Sequence, residues 1–265
     1  MKTALNIVKI TAIVCFCLCI LLYFVQEKLI FFPEKLAATY KFKFDQGFEE
    51  LYFKATDNTV LNGVLFRADS SRGLIFYLHG NAGSLASWGQ IAKTYTDLHY
   101  DLFMLDYRGY GKSEGSSVNE KQFYEDVQLA YNTLKTKYGE KEIIVLGYSI
   151  GTGAATKLAS INKPRLLILQ APYFSLTDLV KHNFKIVPSF LLKYKFETNI
   201  FLSACKMPVV IFHGDKDEVI YYGSSLKLKK LFKTNDTLIT LNGEGHNGIS
   251  DNPTYLTELQ QELSR

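Results

Sequence analysis

The pattern of apolar and polar positions divides the chain near residue 35. Ile10 to Val25 is sixteen residues without a charge, and the apolar character reaches back to Ala4 across Asn6 and Lys9. As a helix the uncharged run spans roughly 24 Å and the extended one roughly 33 Å, against a hydrocarbon core of about 30 Å. The extended helix fits a bilayer with Lys9 snorkelling to the headgroups. A cleaved signal peptide is the rival reading, with Lys2 and Lys9 as its basic region. Its nearest small-residue site, Leu36-Ala37-Ala38, lies far beyond the apolar run and follows Pro33-Glu34-Lys35. We therefore expect residues 1–35 to form an uncleaved, single-pass membrane anchor, with Leu29-Ile30-Phe31-Phe32-Pro33 as an interfacial aromatic collar. Basic residues on both flanks leave its orientation open.

Residues 36–265 alternate short apolar runs with longer amphipathic segments. Thr59–Ala68, Leu74–Leu78, Leu102–Leu105, Glu142–Leu146, Leu166–Leu169, Val209–Phe212 and Thr237–Leu241 read as seven strands, each closed by polar or glycine punctuation. Ser117–Tyr138 is the clearest helix: Phe123, Val127, Ala130, Tyr131 and Leu134 share one face, and Gly139 supplies a stop. A final helix is expected over Pro253–Leu263. Strands apolar on both faces and separated by helices imply an α/β domain, a mainly parallel sheet covered on each side. Ligands in such sheets sit beyond the C-terminal ends of the strands, so the residues following each strand carry the search for chemistry.

Charge and composition narrow the classes. Thirty Lys+Arg against 26 Asp+Glu give +4, half of it within the first 35 residues, which leaves no nucleic-acid footprint. Three of the four cysteines, Cys15, Cys17 and Cys19, alternate along the apolar run, where they cannot easily pair. No CxxC pair or His/Cys cluster has zinc spacing, so no structural metal is expected.

The fourth expected strand runs into Gly147-Tyr148-Ser149-Ile150-Gly151 and then a helix. A turn this tight needs glycine on both sides, because a Cβ would meet neighbouring backbone, and it thrusts the serine hydroxyl outward. A serine nucleophile needs a base held by a carboxylate. His79 and His213 precede glycines at strand ends and read as buried imidazoles bonded to loop backbone, while His99 and His182 lack useful context. His246, in the loop Asn242-Gly243-Glu244-Gly245-His246-Asn247-Gly248, is projected rather than packed and is the expected base. Between serine and histidine, His213-Gly214-Asp215-Lys216-Asp217-Glu218 offers three acids. Asp217 is preferred on its spacing from the strand end, with Asp215 read as a turn cap. An oxyanion would find the Ile150 N–H and the Asn81 N–H in Leu78-His79-Gly80-Asn81-Ala82-Gly83.

These motifs in order, together with Asp106-Tyr107-Arg108-Gly109-Tyr110-Gly111-Lys112-Ser113, make the chain resemble an α/β-hydrolase. It is most similar to membrane-anchored α/β-hydrolase-domain serine hydrolases, over roughly residues 28–265. The resemblance implies Ser149 as nucleophile, Asp217 as acid and His246 as base, and a structural role for the Asp106–Ser113 turn, with Arg108 tying the loop rather than touching substrate. It implies hydrolysis of an ester or thioester through an acyl-enzyme, without metal or organic cofactor, on a lipid or acylated protein met at the bilayer. Some similar proteins remove palmitate from proteins, while others cleave peptides or small esters. Serine peptidase, transacylase and non-catalytic membrane-tethered binding protein are the alternatives.

Such proteins often carry a large cap, whereas here only Ala171–Met207 is available, rich in aromatics and lysines. Two readings fit that segment equally: a small lid whose aromatics cover an acyl pocket and whose lysines face anionic headgroups, or aromatics that simply cover the sheet.

Overall fold

The computed structural model describes residues 1–117, 119–185 and 187–264. Helix α1 (Lys2–Ile30) leads into β1 (Phe48–Lys54), β2 (Val60–Phe66), β3 (Leu74–Leu78), the short helices α2 (Leu85–Trp88) and α3 (Ala92–Thr96), β4 (Asp101–Leu105) and α4 (Glu120–Lys135). There follow β5 (Ile143–Tyr148), α5 (Gly151–Ile161), β6 (Leu166–Gln170), α6 (Leu176–Asn183), α7 (Thr198–Leu202), β7 (Val209–Gly214), α8 (Gly223–Lys229), β8 (Thr237–Leu241) and α9 (Pro253–Ser264). The strands form one sheet in the order β1-β2-β4-β3-β5-β6-β7-β8. Only β1–β2 and β2–β4 pair antiparallel; β3 to β8 run parallel with their neighbours.

The period of two along each strand divides the interior between two layers. Leu74, Phe76 and Leu78 of β3, with Ile143 and Val145 of β5, pack against α4 and α5. Ile75 and Tyr77, with Ile144 and Leu146, face the opposite layer of α3 and α9. The α4 residues expected to form its apolar face, Phe123, Val127, Ala130, Tyr131 and Leu134, are all buried.

Three expectations about the elements are corrected. An eighth strand, β1, precedes the seven. Its two glutamates and a lysine interrupt the apolar pattern because it is an edge strand, where charge discourages pairing with another chain. Helix α4 starts after Asn119, whose side chain accepts from the Gln122 N–H at 2.9 Å, rather than at Ser117; Val118, within the expected helix, lies outside the described residues. It also ends at Lys135, and Gly139 instead opens the 3-10 turn Glu140–Glu142.

The expected collar splits as well. Leu29 and Phe32 are exposed, but Phe31 is buried against Phe123, Tyr194 and Phe196. The segment 171–207 divides in the same way, with Ile186 outside the described residues: Tyr173, Tyr194 and Phe196 join the core, whereas Phe184 and Phe190 point outward.

Arg108 sits on the loop after β4 and grips two acids. Its Nε and Nη2 donate to Asp126 on α4 at 2.5 and 3.0 Å, and Nη1 donates to Asp57 at 2.6 Å and Thr59 at 2.9 Å. Asp126 is buried, and burial raises its carboxyl against the lowering effect of the guanidinium. Arg108→Leu should therefore destabilise the fold by about 3 kcal/mol, because it strands a buried carboxylate. Arg108→Leu/Asp126→Leu should recover most of that loss in urea unfolding; equal losses in the single and double variants would show that the stranded carboxylate is not its cause.

Candidate active site

The turn between β5 and α5 is set by close approach. A Cβ on Gly147 would come within 2.7 Å of the Ala155 side chain and the Gly151 carbonyl, and one on Gly151 would run into the carbonyls of Leu78 and His79. Between them Ser149 takes φ +52°, a left-handed conformation unfavourable for a residue with a side chain. Its N–H donates to the Gln170 carbonyl at the end of β6 at 2.9 Å. Ser149 keeps 6% of its surface open.

Two loops bring partners to this hydroxyl. His246 Nε2 lies 3.0 Å from Ser149 Oγ, and its Nδ1 lies 2.7 Å from Asp217 Oδ2. The Tyr148 hydroxyl donates to the His246 carbonyl, tying the loop after β8 to the turn. Asp217 Oδ1 accepts from the Val219 and Ile220 N–H groups at 2.9 and 2.8 Å. Burial alone would raise this carboxyl, but bonds from His213, His246 and the Ile220 N–H overcome it and hold it well below the usual carboxylate range. Asp215 stands apart: its Oδ1 accepts from the Gly243 N–H at 2.7 Å.

His213 was read from sequence as a buried imidazole bonded to loop backbone, and its Nε2 does lie 2.8 Å from the Ile220 carbonyl. The same nitrogen is 3.2 Å from Asp217 Oδ2, a contact the sequence reading missed, while Nδ1 meets Ser225 Oγ at 2.6 Å. Nε2 faces two acceptors, so it carries the proton, directed to the Ile220 carbonyl with the Asp217 carboxylate close beside it. The spacing His213-x-x-x-Asp217 was the available signal. His79 is buried with Nδ1 bonded to the Gly80 carbonyl, and His182 stacks on Tyr221 with ring centroids 3.7 Å apart. Among the described residues no group of three or more His, Cys, Asp or Glu is arranged to hold a metal ion.

The loop carrying Asn81 packs beside the serine turn, since a Cβ on Gly80 would meet the Tyr148 ring at 2.8 Å. Neither the Asn81 nor the Ile150 N–H bonds to the described residues, whereas the Asn81 side chain makes four hydrogen bonds. Nδ2 donates to the Ile30 carbonyl at 2.5 Å, and Oδ1 accepts from Phe32 N–H, Ala82 N–H and the Tyr110 hydroxyl at 2.9–3.0 Å. Residues 33–36 continue the attachment: Glu34 N–H donates to Gly83, Gly111 N–H to Glu34 and Leu36 N–H to Gly111, while the Ser84 hydroxyl donates to the Glu34 carboxylate at 2.7 Å. The exit of α1 is thus a strap across the loops after β3 and β4.

A family model described as serine aminopeptidase, S33, matches residues 69–203. The chain is 32% identical over 223 residues to mouse alpha/beta hydrolase domain-containing protein 17C, covering 81% of this chain and 68% of that one. It is 28% identical to an uncharacterized Acanthamoeba polyphaga mimivirus protein, over 79% of this chain and 80% of the viral one. In fold it is similar to the Pyrococcus furiosus esterase PF2001, with TM-score 0.69 and 18% identity over 89% of this chain and 97% of the esterase.

Beneath the strap lies Asp106, fully buried and accepting from the Leu85 N–H at 3.1 Å. Burial pushes its carboxyl up to about 8. A raised carboxyl contributes stability that is complete below its unfolded value near 4 and is lost as pH rises toward 8. Between pH 5 and 8 the wild type should therefore lose about 1.4 kcal/mol per pH unit more than Asp106→Asn, as read from urea unfolding. Parallel curves for the two proteins would show Asp106 ionised in the folded state.

Proposed function

The chain belongs to the α/β-hydrolase superfamily, and from that premise we propose that it is a membrane-anchored serine hydrolase cleaving acyl esters or thioesters through Ser149, His246 and Asp217. The observation that carries the reading is the unbroken hydrogen-bond chain from Ser149 Oγ through His246 to Asp217. Asp217 faces Nδ1, so the imidazole proton resides there and Nε2 is left to accept from the serine hydroxyl. Ser149 Oγ attacks the acyl carbonyl while its proton passes to Nε2. The carbonyl π pair moves onto oxygen, and the Asn81 and Ile150 N–H groups receive the oxyanion. Collapse expels the alcohol or thiol, which takes the proton from Nε2. Water, deprotonated by the same nitrogen, then attacks the acyl-serine, and on collapse Ser149 Oγ leaves, takes that proton back from Nε2 and the acid is released. Asp217 remains ionised throughout, which its donors His213, Val219 N–H and Ile220 N–H favour.

The anchor reading draws on α1, whose segment Thr3–Ile30 has a mean hydropathy of 2.6 in its apolar window and no burial there. Retention of the helix is supported by the strap: cleavage at Leu36-Ala37-Ala38 would remove buried Phe31 and two partners of the Asn81 side chain, Ile30 and Phe32. An anchored enzyme meets acyl groups in the bilayer, which favours a lipid or an acylated protein as substrate.

Aminopeptidase activity is the second reading, since the matching family description names it. Such an enzyme needs a free acid for the substrate ammonium. Of the acids on the neighbouring loops, Asp215 accepts from Gly243 N–H through Oδ1, and Glu244 accepts from Gly245 N–H and Asn252 Nδ2, so each is already engaged in holding its loop. Ester chemistry makes no such demand.

Ser149→Ala should lose fluorophosphonate labelling and about 10⁶-fold in turnover of a p-nitrophenyl acyl ester. Undiminished labelling would reject Ser149, and silence of the wild type toward every acyl length would favour a binding protein. Asp217→Asn should lower turnover by about 10⁴-fold, far more than Asp215→Asn; the reverse order would move the acid to Asp215. Product that depends on added alcohol or thiol acceptors would identify a transacylase.

A further inference from the structure

The segment between β6 and β7 is bolted to the last turns of α1. The Gln26 amide is buried and fully used: Nε2 donates to the carbonyls of Tyr23 and Leu191, and Oε1 accepts the Lys193 N–H at 2.8 Å. Lys193 Nζ reaches Glu27 at 2.8 Å and lies 4.7 Å over the Tyr23 ring. Residues 191–193 therefore sit at the level of Tyr23–Glu27, where the apolar run of α1 ends and its first polar side chains begin.

The 3-10 turn Ser189–Leu191 stands beside this junction with Phe190 81% exposed, and Phe184 at the end of α6 is 61% exposed. The other aromatics of the segment do not share this: Tyr173, Tyr194 and Phe196 are buried, and Phe174 and Phe201 are half-buried. On the helix side of the junction Phe24, Leu29 and Phe32 are exposed too. Lys181 and Lys185 flank Phe184, also exposed. Aromatic rings beside lysines, at the depth where a spanning helix leaves hydrocarbon, have the composition of a membrane interface.

We propose that the turn bearing Phe190 is a second membrane contact, inserted into the headgroup region of the leaflet from which α1 emerges. The proposal rests on the reading of α1 as a retained anchor. The bilayer is the occupant because the patch is continuous with the lipid-facing surface of α1 and fixed to it by Gln26 and Lys193. The interfacial zone is about 6 Å deep on each side, about four residues of helical rise, so a ring adjoining the Gln26 contact falls within it. The segment over the sheet is consequently held against the lipid by its own tip, and acyl substrates reach the enzyme along the bilayer rather than through bulk water.

The test is tryptophan quenching in the full chain reconstituted into phosphatidylcholine–phosphatidylserine vesicles, with and without brominated acyl chains. Phe190→Trp adds one indole to the single native Trp88. The added emission should lose more than about half its intensity in brominated lipid and shift to the blue, as for interfacial tryptophan. Phe16→Trp, inside the apolar run, reports on the anchor itself. Quenching at 16 without quenching at 190 overturns the proposal and leaves the anchor standing, whether the ring at 190 is open to aqueous acrylamide or shielded by a second copy. No quenching at 16 refutes the anchor reading, and the proposal with it. As a functional arm, Phe190→Asp should lower turnover of a vesicle-borne long-chain ester about tenfold while leaving a soluble short-chain ester unchanged. Equal loss on both substrates would count against a lipid contact.

Discussion

The geometry of the site depends on one backbone constraint, the left-handed conformation of Ser149 between β5 and α5. That conformation is unfavourable for a residue with a Cβ, by about 1–3 kcal/mol, and it persists because its surroundings over-determine it. The Ser149 N–H is held by Gln170 on the neighbouring strand, and at Gly147 and Gly151 the backbone packs too closely against its neighbours to admit a Cβ. The central position of β5 in a parallel sheet is what makes this possible. Rigid strands on both sides present their terminal carbonyls to the turn, and the loops after β7 and β8 end within reach of the same point.

Around that turn the polar groups are arranged in successive supports. Asp217 touches His246, but it is itself held by His213 and two backbone amides, and His213 is held in turn by Ser225 and the Ile220 carbonyl. A carboxylate supplied with this many donors stays ionised and fixed in direction. On the opposite side, Asn81 uses its side chain for the strap while its backbone N–H bonds to none of the described residues. Sequence from outside the sheet, residues 30–36, thereby contributes to the shape of the loop nearest the serine turn.

Local pattern made most of the sheet legible. Seven apolar runs became strands within a few residues of their expected limits, because all but the half-buried edge strand β8 are buried on both faces and each keeps a continuous apolar or β-branched run that needs no distant information to be recognised. Strand β1 escaped for the converse reason: as an edge, it carries Glu49, Glu50 and Lys54 and lacks a continuous apolar run. Ser149, Asp217 and His246 stood out through glycine context and chain order. The contact of His213 with Asp217 did not, because it depends on a turn that folds the chain back over four residues. Phe31 was likewise misplaced as a collar residue. Its burial comes from Phe123, Tyr194 and Phe196, and no window around position 31 contains them. The aromatics of 171–207 read as equivalent for the same reason, and only the packed fold separates the inward rings from Phe184 and Phe190.

The junction at the end of α1 also governs how the two parts of the chain can move. A flexible tether would let the globular body tumble about its leash. Here Gln26 and Glu27 bind one flank of the body and the Ile30 carbonyl binds another, so neither swivel nor tilt is free at that joint. The azimuth of the helix and the heading of the serine turn are consequently locked together, and any rotation of one about its long axis steers the other like a rudder.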